Sequence, residues 1–358
     1  MRVYNFSPGP SQLPTEVLEQ CKDELLNYKG TGMSIMELNH RTTKCMDIID
    51  EANVLLRDLM HIPKNYKIIW SQGGASLQFS MIPLNLYKNG VADYATTGVW
   101  AEKAISQAKF HIKTNEVSNS ADKKHTYIPK LKKEDFTPNA DYFHYTINNS
   151  VHGTAYYDVP PTTSNVVGDM TSCILSQEYD VSKFAIIYAS CQKNLGISGN
   201  TVVIIREDLI GNAVPNTSLM LDYKPYVEWN SAYNTPPVHA IYMSLLIMKW
   251  IKKEGGVAAI EKINKEKARL LYEFLDSSKM FSSYVTEVAD RSIMNIPFTT
   301  NNKELDDKFI ESSIKEGLTN LKGFATMGGM RASIYNAMPL DGVKKLISFM
   351  KEFESTAK

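Results

Sequence analysis

Lys193 has the clearest potential for covalent chemistry in this sequence, because it closely follows the apolar segment 184–189. That segment predicts a strand buried on both faces, so Lys193 is expected just past the carboxyl end of a core strand. Ligands of open α/β sheets bind at this edge. Position alone favours a solvated loop lysine; the alternative is a partly desolvated amine that attacks a carbonyl group.

Three other strand ends carry residues that could bind a flat anionic ligand. In "SQGGASLQF" two glycines join a strand to a helix, so the backbone N–H groups of Gly74, Ala75 and Ser76 can face an anion at the helix start. Trp100 follows another strand and can stack on a ring, and Ser150 follows a third and offers a hydroxyl. A tight turn, a core aromatic and a turn serine remain the alternatives.

Asp169 ends the strand that precedes the Lys193 strand, so both side chains can face one cavity. A buried carboxylate is costly unless it is paired. Its partner is either a nearby hydroxyl or backbone amide, or the protonated nitrogen of a ring. An amine for an aldehyde, a carboxylate for a pyridinium, an anion-binding helix start and a stacking indole together indicate a pyridoxal phosphate (PLP) site.

The composition limits the class of protein. The 358 residues suggest about two domains. Lys and Arg number 39, as do Asp and Glu, and this zero net charge argues against a nucleic-acid or acidic-membrane partner. The four cysteines lack metal-ligand or disulfide spacing, so we expect free thiols and no metal site. Without a signal peptide or an apolar span, a cytoplasmic protein is expected.

Alternating strand and helix patterns predict an α/β fold with a mostly parallel central sheet. Strands are predicted at 67–71, 91–96, 110–114, 142–146, 165–168, 184–189, 201–205, 294–299 and 331–337. Helices are predicted at 16–28, 43–59, from 75, from 101, and at 237–254, 257–276, 304–317 and 340–353. The predicted domains are an extended segment at 1–15, a large PLP-binding domain at 16–258 and a small α+β domain at 259–358.

Long stretches of this sequence resemble one family from about Tyr4 to Phe353. They include "NFSPGPSQLP", "GTGMSIMELNHR", "QGGASLQF", "YDVSKFAIIYASCQKNLG", "YNTPPVHAIY" and "GGMRASIYNAMPL". The family is the phosphoserine aminotransferases, a class V group of fold-type I PLP-dependent aminotransferases. The resemblance implies fold-type I architecture and reversible amino transfer between glutamate and 3-phosphohydroxypyruvate. The products are 2-oxoglutarate and O-phosphoserine, on the route to serine.

The resemblance implies roles for the residues of the predicted PLP site. Lys193 would bind the cofactor aldehyde and act as the catalytic base, Asp169 would pair with the ring nitrogen, and Trp100 would stack on the ring. The remaining cofactor contacts would come from Ser150, Gln192, Ala75 and Ser76.

Further implied residues concern the substrate and a second subunit. Arg331 would bind the substrate α-carboxylate, and His40 and Arg41 would bind its distal anion. Asn234 and Thr235 would reach the cofactor phosphate of the neighbouring subunit, which implies an obligate homodimer with active sites at the interface.

Two departures from the family pattern affect the predicted anion pocket. Phe324 and Ala325 stand where the family usually has His-Arg, and Gln177 stands where an arginine is usual. This loss of positive charge leaves an alternative function open, namely a related PLP aminotransferase that acts on a less anionic 2-oxo acid. A catalytically silent dimeric binding protein is a third possibility, against which the retention of Lys193, Asp169 and Arg331 argues.

Overall fold

The computed structural model describes residues 2–356 and has nine α-helices in that range. They are α1 (Thr15–Glu24), α2 (Thr43–Leu59), α3 (Gly74–Leu86), α4 (Val99–Ala108), α5 (Tyr223–Glu228), α6 (Val238–Lys253), α7 (Gly256–Ser277), α8 (Lys303–Lys315) and α9 (Leu340–Thr356). No helix within residues 2–356 is long and apolar enough to span a bilayer.

The described residues also form fourteen strands. They are β1 (Tyr4–Asn5), β2 (Tyr66–Ser71), β3 (Val91–Thr96), β4 (Lys113–Asn119), β5 (Tyr142–Thr146), β6 (Asn148–Asn149), β7 (Thr154–Ala155), β8 (Asn165–Asp169), β9 (Ile186–Ser190), β10 (Thr201–Arg206), β11 (Ser282–Ser283), β12 (Asn295–Thr299), β13 (Leu318–Thr319) and β14 (Met330–Ser333).

Seven strands form the central sheet in the order β2-β10-β9-β8-β5-β3-β4. Only β10 runs against its neighbours, so the predicted mostly parallel sheet is confirmed. Side chains alternate between two faces: Val202 and Ile204 pack in the core that contains α2 and α6, whereas Val203 and Ile205 pack in the core that contains α3 and α4. Both sheet faces are therefore covered by helices, as the apolar strand sequences predict.

Three predicted elements were placed wrongly. The strand predicted at 110–114 lies at Lys113–Asn119, because Phe110 is in a turn and is 79% exposed. The helix predicted at 16–28 ends at Glu24, and Asn27, with a φ of −148° and a ψ of 80°, is not helical. The strand predicted at 331–337 ends at Ser333.

The C-terminal region has its own core, built from α7, α8, α9 and the antiparallel sheet β11-β12-β14. The N-terminal segment joins it, because β1 pairs with β13 and Phe6 is buried in this core. Helix α7 contributes to both cores: Val257 and Ile260 pack with the large one, and Leu271 packs with the small one. The domain boundary at 258 stays a prediction.

Candidate active site

Two neighbouring parallel strands bring the predicted catalytic residues together. β8 ends at Asp169, β9 ends at Ser190, and the turn after β9 carries Lys193. Both Asp169 and Lys193 line a cavity of about 280 Å³ at the carboxyl edge of the sheet. This volume is close to the lower limit for ligand pockets, roughly 300 Å³.

Lys193 is buried with 8% of its surface exposed, and its Nζ donates to Ser150 Oγ at 3.4 Å. Burial lowers the pKa of Lys193 to about 8; the Asp169 carboxylate opposes this shift and Arg331 adds to it. The N-terminal segment packs against the lysine stem, since a Cβ on Gly9 would lie 3.3 Å from Lys193 Cε. The sequence indicates only extended chain there, yet Gly9, with a φ of 139°, makes this close approach possible.

Asp169 is 4% exposed and its Oδ1 accepts a hydrogen bond from the Thr171 backbone N–H at 2.9 Å. Burial raises the pKa of Asp169 above its ordinary value, while Thr171 and the Lys193 charge oppose the rise. A positively charged group in the cavity would stabilise the ionised carboxylate. Thr171 was missed from the sequence, although its position two residues after Asp169 is typical of a local hydrogen bond to a carboxylate.

Helix α3 begins at the cavity with its first amides available. Gly73 precedes it at a φ of 88°, and no side chain of residues 2–356 caps this end. Gly74, Ala75 and Ser76 line the cavity, as the sequence predicts. An uncapped N-terminus of a 13-residue helix is suited to binding a phosphate group.

Trp100, Gln192 and Arg331 also line the cavity. Trp100 Nε1 is buried without a hydrogen-bond partner in the described chain. Arg331 is 5% exposed; its Nη1 donates to Ser150 O at 2.9 Å, while its Nε has no partner among residues 2–356. Arg331 therefore keeps unused hydrogen-bonding capacity close to Lys193, which is the arrangement needed to bind an anion beside a reactive amine.

Four predicted site residues lie elsewhere, on a surface that we call the outer patch: the half-buried His40 and the exposed Arg41, Asn234 and Thr235. None of them lines the cavity. Arg41 Nη2 donates to Tyr233 O at 3.1 Å, and Gln72 Nε2 donates to Thr235 O at 3.1 Å. Within one chain, the predicted site residues therefore lie in two separate places, the wall of the cavity and the outer patch.

The residues that depart from the family pattern differ in position. Phe324 lines the cavity, whereas Ala325 is exposed. Gln177 is not part of the cavity wall. Among the residues that line the cavity, Lys193 and Arg331 are the two cations.

Known proteins with similar sequences and structures are aminotransferases. The family described as Aminotransferase class-V matches residues 3–346. A phosphoserine aminotransferase of Bacillus cereus is 52% identical over 99% of this chain and 98% of its own. The solved phosphoserine aminotransferase from Bacillus circulans subsp. alkalophilus is 41% identical with a TM-score of 0.96, covering 100% of this chain and 99% of that one. The PLP-bound enzyme from Trichomonas vaginalis is 36% identical with a TM-score of 0.93, covering 98% of this chain and 100% of that one.

Proposed function

The chain belongs to the phosphoserine aminotransferases of aminotransferase class V, and we propose how its residues divide the work of amino transfer between glutamate and 3-phosphohydroxypyruvate. The observation that carries this proposal is the single cavity that gathers a buried amine, a buried carboxylate, an arginine with free donors and an uncapped helix start.

The residues of the cavity fit PLP. The α3 amides suit its phosphate, the Asp169 carboxylate suits a protonated ring nitrogen, Trp100 offers a stacking surface and Lys193 offers an amine for the aldehyde. When bound, PLP supplies an electrophilic carbon and a ring that accepts electrons. The other contributions come from the side chains of this chain.

Lys193 has two successive roles in this proposal. Its amine would hold the cofactor and, when free, would move a proton to and from the substrate Cα. The pKa of about 8 supports the second role, because an amine that titrates near working pH can both accept and release a proton. Asp169 would stabilise the protonated ring nitrogen, and Ser150 Oγ, which accepts a hydrogen bond from Lys193 Nζ, would orient the lysine amine.

Arg331 binds the α-carboxylate that all four substrates and products share. Their distal anions need further positive charge. The cavity of one chain lacks it, because its two cations, Lys193 and Arg331, already have roles and Phe324 is neutral. We assign the distal anion to His40 and Arg41 of a second copy in a homodimer, whose Asn234 and Thr235 also contact the cofactor phosphate. The exposure of most of the outer patch supports this assignment, since a partner can cover it.

The alternative of a less anionic 2-oxo acid is not favoured, because relatives that are about half identical over the whole chain are phosphoserine aminotransferases. A cytoplasmic location is supported by the four cysteines, which are free thiols.

The test is a survey of single half-reactions with the PLP form of the purified protein. Phosphoserine and glutamate should each convert the cofactor at least about tenfold more efficiently than serine or alanine, which lack the distal anion. Lys193→Ala should fold and keep non-covalently bound PLP but lose turnover. Equal efficiency with serine would replace the assigned substrate, and wild-type turnover by Lys193→Ala would refute the role of this lysine.

A further inference from the structure

Lys267 is a fully buried lysine that the proposed mechanism does not use. It is 0% exposed, and its Nζ donates to the carbonyl oxygens of Ile334 at 3.0 Å, Tyr335 at 2.8 Å and Met338 at 3.0 Å. Three acceptors for one amine match the three N–H groups of the charged ammonium. The ion pairs found within residues 2–356 do not include Lys267.

A buried charge without an acidic partner is costly, and burial lowers the pKa of Lys267 to about 7. The three carbonyl groups that offset this cost all belong to one short segment, residues 334–338, which we call the strap. The strap begins directly after Ser333, the last residue of β14: the Ile334 N–H still donates to Met294 O at 2.8 Å, whereas the Ile334 and Tyr335 carbonyls accept from Lys267.

The strap connects the two ends of the proposed substrate site. It continues directly from β14, which carries Arg331. On the other side, the Asn336 N–H donates to Asn194 Oδ1 at 3.0 Å, and Asn194 follows Lys193 in the chain. Tyr335 OH donates to the carbonyl of Pro8 at 2.9 Å, and Pro8 lines the cavity.

Lys267 also lies where α7 passes from one core to the other. Val257 and Ile260 at the beginning of α7 pack with the large core, whereas Leu271 and Leu275 pack with the small one. A rigid helix that contacts both cores is a suitable support for a segment that must hold a fixed position between them.

We propose that Lys267 is a positioning residue: its hydrogen bonds to the three carbonyl groups hold the strap so that Arg331 and Lys193 keep the separation that a substrate's carboxylate and amino group require. This proposal rests on the function assigned to Arg331 above. Small displacements of reacting groups are costly in enzymes, since an error of about 1 Å can lower rates by about a hundredfold.

The test compares Lys267→Met, which keeps most of the apolar stem, with Phe309→Leu, a buried change in the small core at a ring that packs against Phe281, Phe298 and Phe353. Lys267→Met should raise the KM for both phosphoserine and glutamate by about tenfold or more while kcat falls less. Phe309→Leu should leave KM unchanged when it is measured at a temperature at which it has lost as much stability as Lys267→Met. Equal KM changes in the two variants would show that Lys267 supports the fold and does not position the site, which would overturn the proposal.

A double-mutant cycle with Asn336→Ala tests whether the effect passes through the strap. This change removes the side-chain hydrogen bonds that Asn336 donates to Leu175 O at 2.9 Å and accepts from Asn264 Nδ2 at 2.8 Å. The KM increases of the two single variants should combine to less than their product, because either change already releases the strap. A full multiplicative effect would overturn the proposal. If Lys267→Met does not fold, Lys267→Gln takes its place, since its amide is uncharged but keeps two donors. A wild-type protein inactive on phosphoserine would instead refute the proposed function.

Discussion

At the scale of single residues, the environment of Lys193 controls when its amine can react. Burial and Arg331 both disfavour the charged ammonium, and Asp169 only partly offsets them, so the pKa falls to about 8. The neutral amine is the nucleophile. Its fraction rises as pH increases through the pKa, so reactivity should reach a plateau above about pH 9 instead of near pH 11.

We therefore expect the rate of covalent PLP capture by the apoprotein to rise with pH with a midpoint near 8. The measurement is the second-order rate constant from absorbance changes between about pH 6 and about pH 10.5, the ordinary lysine value. A free lysine derivative measured in parallel corrects for the ionisations of PLP itself. A midpoint that coincides with that of the free lysine would contradict the proposed desolvation.

Gly98 offers a second residue-scale prediction. A Cβ at this position would lie 2.8 Å from Asn149 Oδ1 and 2.9 Å from His152 Nδ1, too close for either atom to stay in place. Both belong to the two-stranded ribbon formed by β6, β7 and the turn between them. This turn also carries Ser150, which contacts Lys193 and Arg331. Gly98→Ala should cost about 1–3 kcal/mol of stability and should also raise the KM for both substrates.

Denaturant unfolding and steady-state kinetics measure these two effects. The control is Gly32→Ala, where an added Cβ meets nothing within 4 Å, although a φ of 74° makes the change mildly unfavourable. It should lose some stability and keep a normal KM. If both variants have a normal KM, the ribbon does not transmit the clash to the site.

The positions of candidate residues at strand ends could be predicted from the sequence, whereas their chemical roles stay predictions. Asp169 and Lys193 follow apolar strands, and these strands proved to be adjacent and parallel, so the shared cavity could be deduced. Gly9 could not be placed, because its contact with Lys193 spans most of the large domain in sequence. Local patterns carry no information about such long-range approaches.

At the scale of elements, prediction succeeded where burial dominates and failed where it does not. The buried strands β3 and β5 match their predicted bounds. The edge strand β4 is mostly polar and partly exposed, so its apolar signal was weaker than that of the preceding turn, which contains the exposed Phe110. Strands held mainly by backbone pairing leave little trace in the sequence.

The loop between β13 and β14 carries the element-scale prediction. Phe324 lines the cavity, while the exposed Ala325 lies beside it and can present a charge at the cavity mouth. A phosphomonoester carries about −1.5 to −2 charges at pH 7. Ala325→Arg should lower the KM for phosphoserine by about twofold to fivefold, an exposed-pair effect of about 0.5–1 kcal/mol.

Ala325→Glu is the matched control, and it should raise the KM for phosphoserine by a similar factor. Neither change should alter the KM for alanine, because alanine has no distal anion. Steady-state kinetics at low ionic strength gives the largest contrast, since salt screens exposed charges. Identical effects of Arg and Glu would place the phosphate away from this loop.

At the scale of the whole molecule, the outer patch is the part that sequence patterns could not explain. Arg41 is exposed, its guanidinium lies 5.2 Å from the Trp229 ring centre, and it donates to the Tyr233 carbonyl. Within one chain this is the environment of an ordinary surface arginine. The resemblance assigns it to a substrate, and the proposed second copy would bring it to a cavity.

The homodimer proposal predicts a specific result for hybrid dimers. Arg41→Ala alone should raise the KM for phosphoserine by at least about tenfold, since a charge-assisted hydrogen bond contributes roughly 1.5–3 kcal/mol and tenfold corresponds to about 1.4 kcal/mol. Lys193→Ala alone should be inactive. If Arg41 acts across the interface, a dimer of one subunit of each kind contains one intact site, because the Lys193→Ala subunit supplies Arg41 to the cavity that retains Lys193.

Such hybrids can be isolated by co-expressing the two variants with different affinity tags. We expect about half of the wild-type activity per dimer, with a normal KM for phosphoserine. A hybrid of wild type with Lys193→Ala serves as the control, because it should have half activity wherever Arg41 acts. If Arg41 serves its own chain, the only cavity with Lys193 in the test hybrid lacks Arg41, and the raised KM of Arg41→Ala persists. That persistence would refute the shared site, because a partner's Arg41 would then have no access to the cavity.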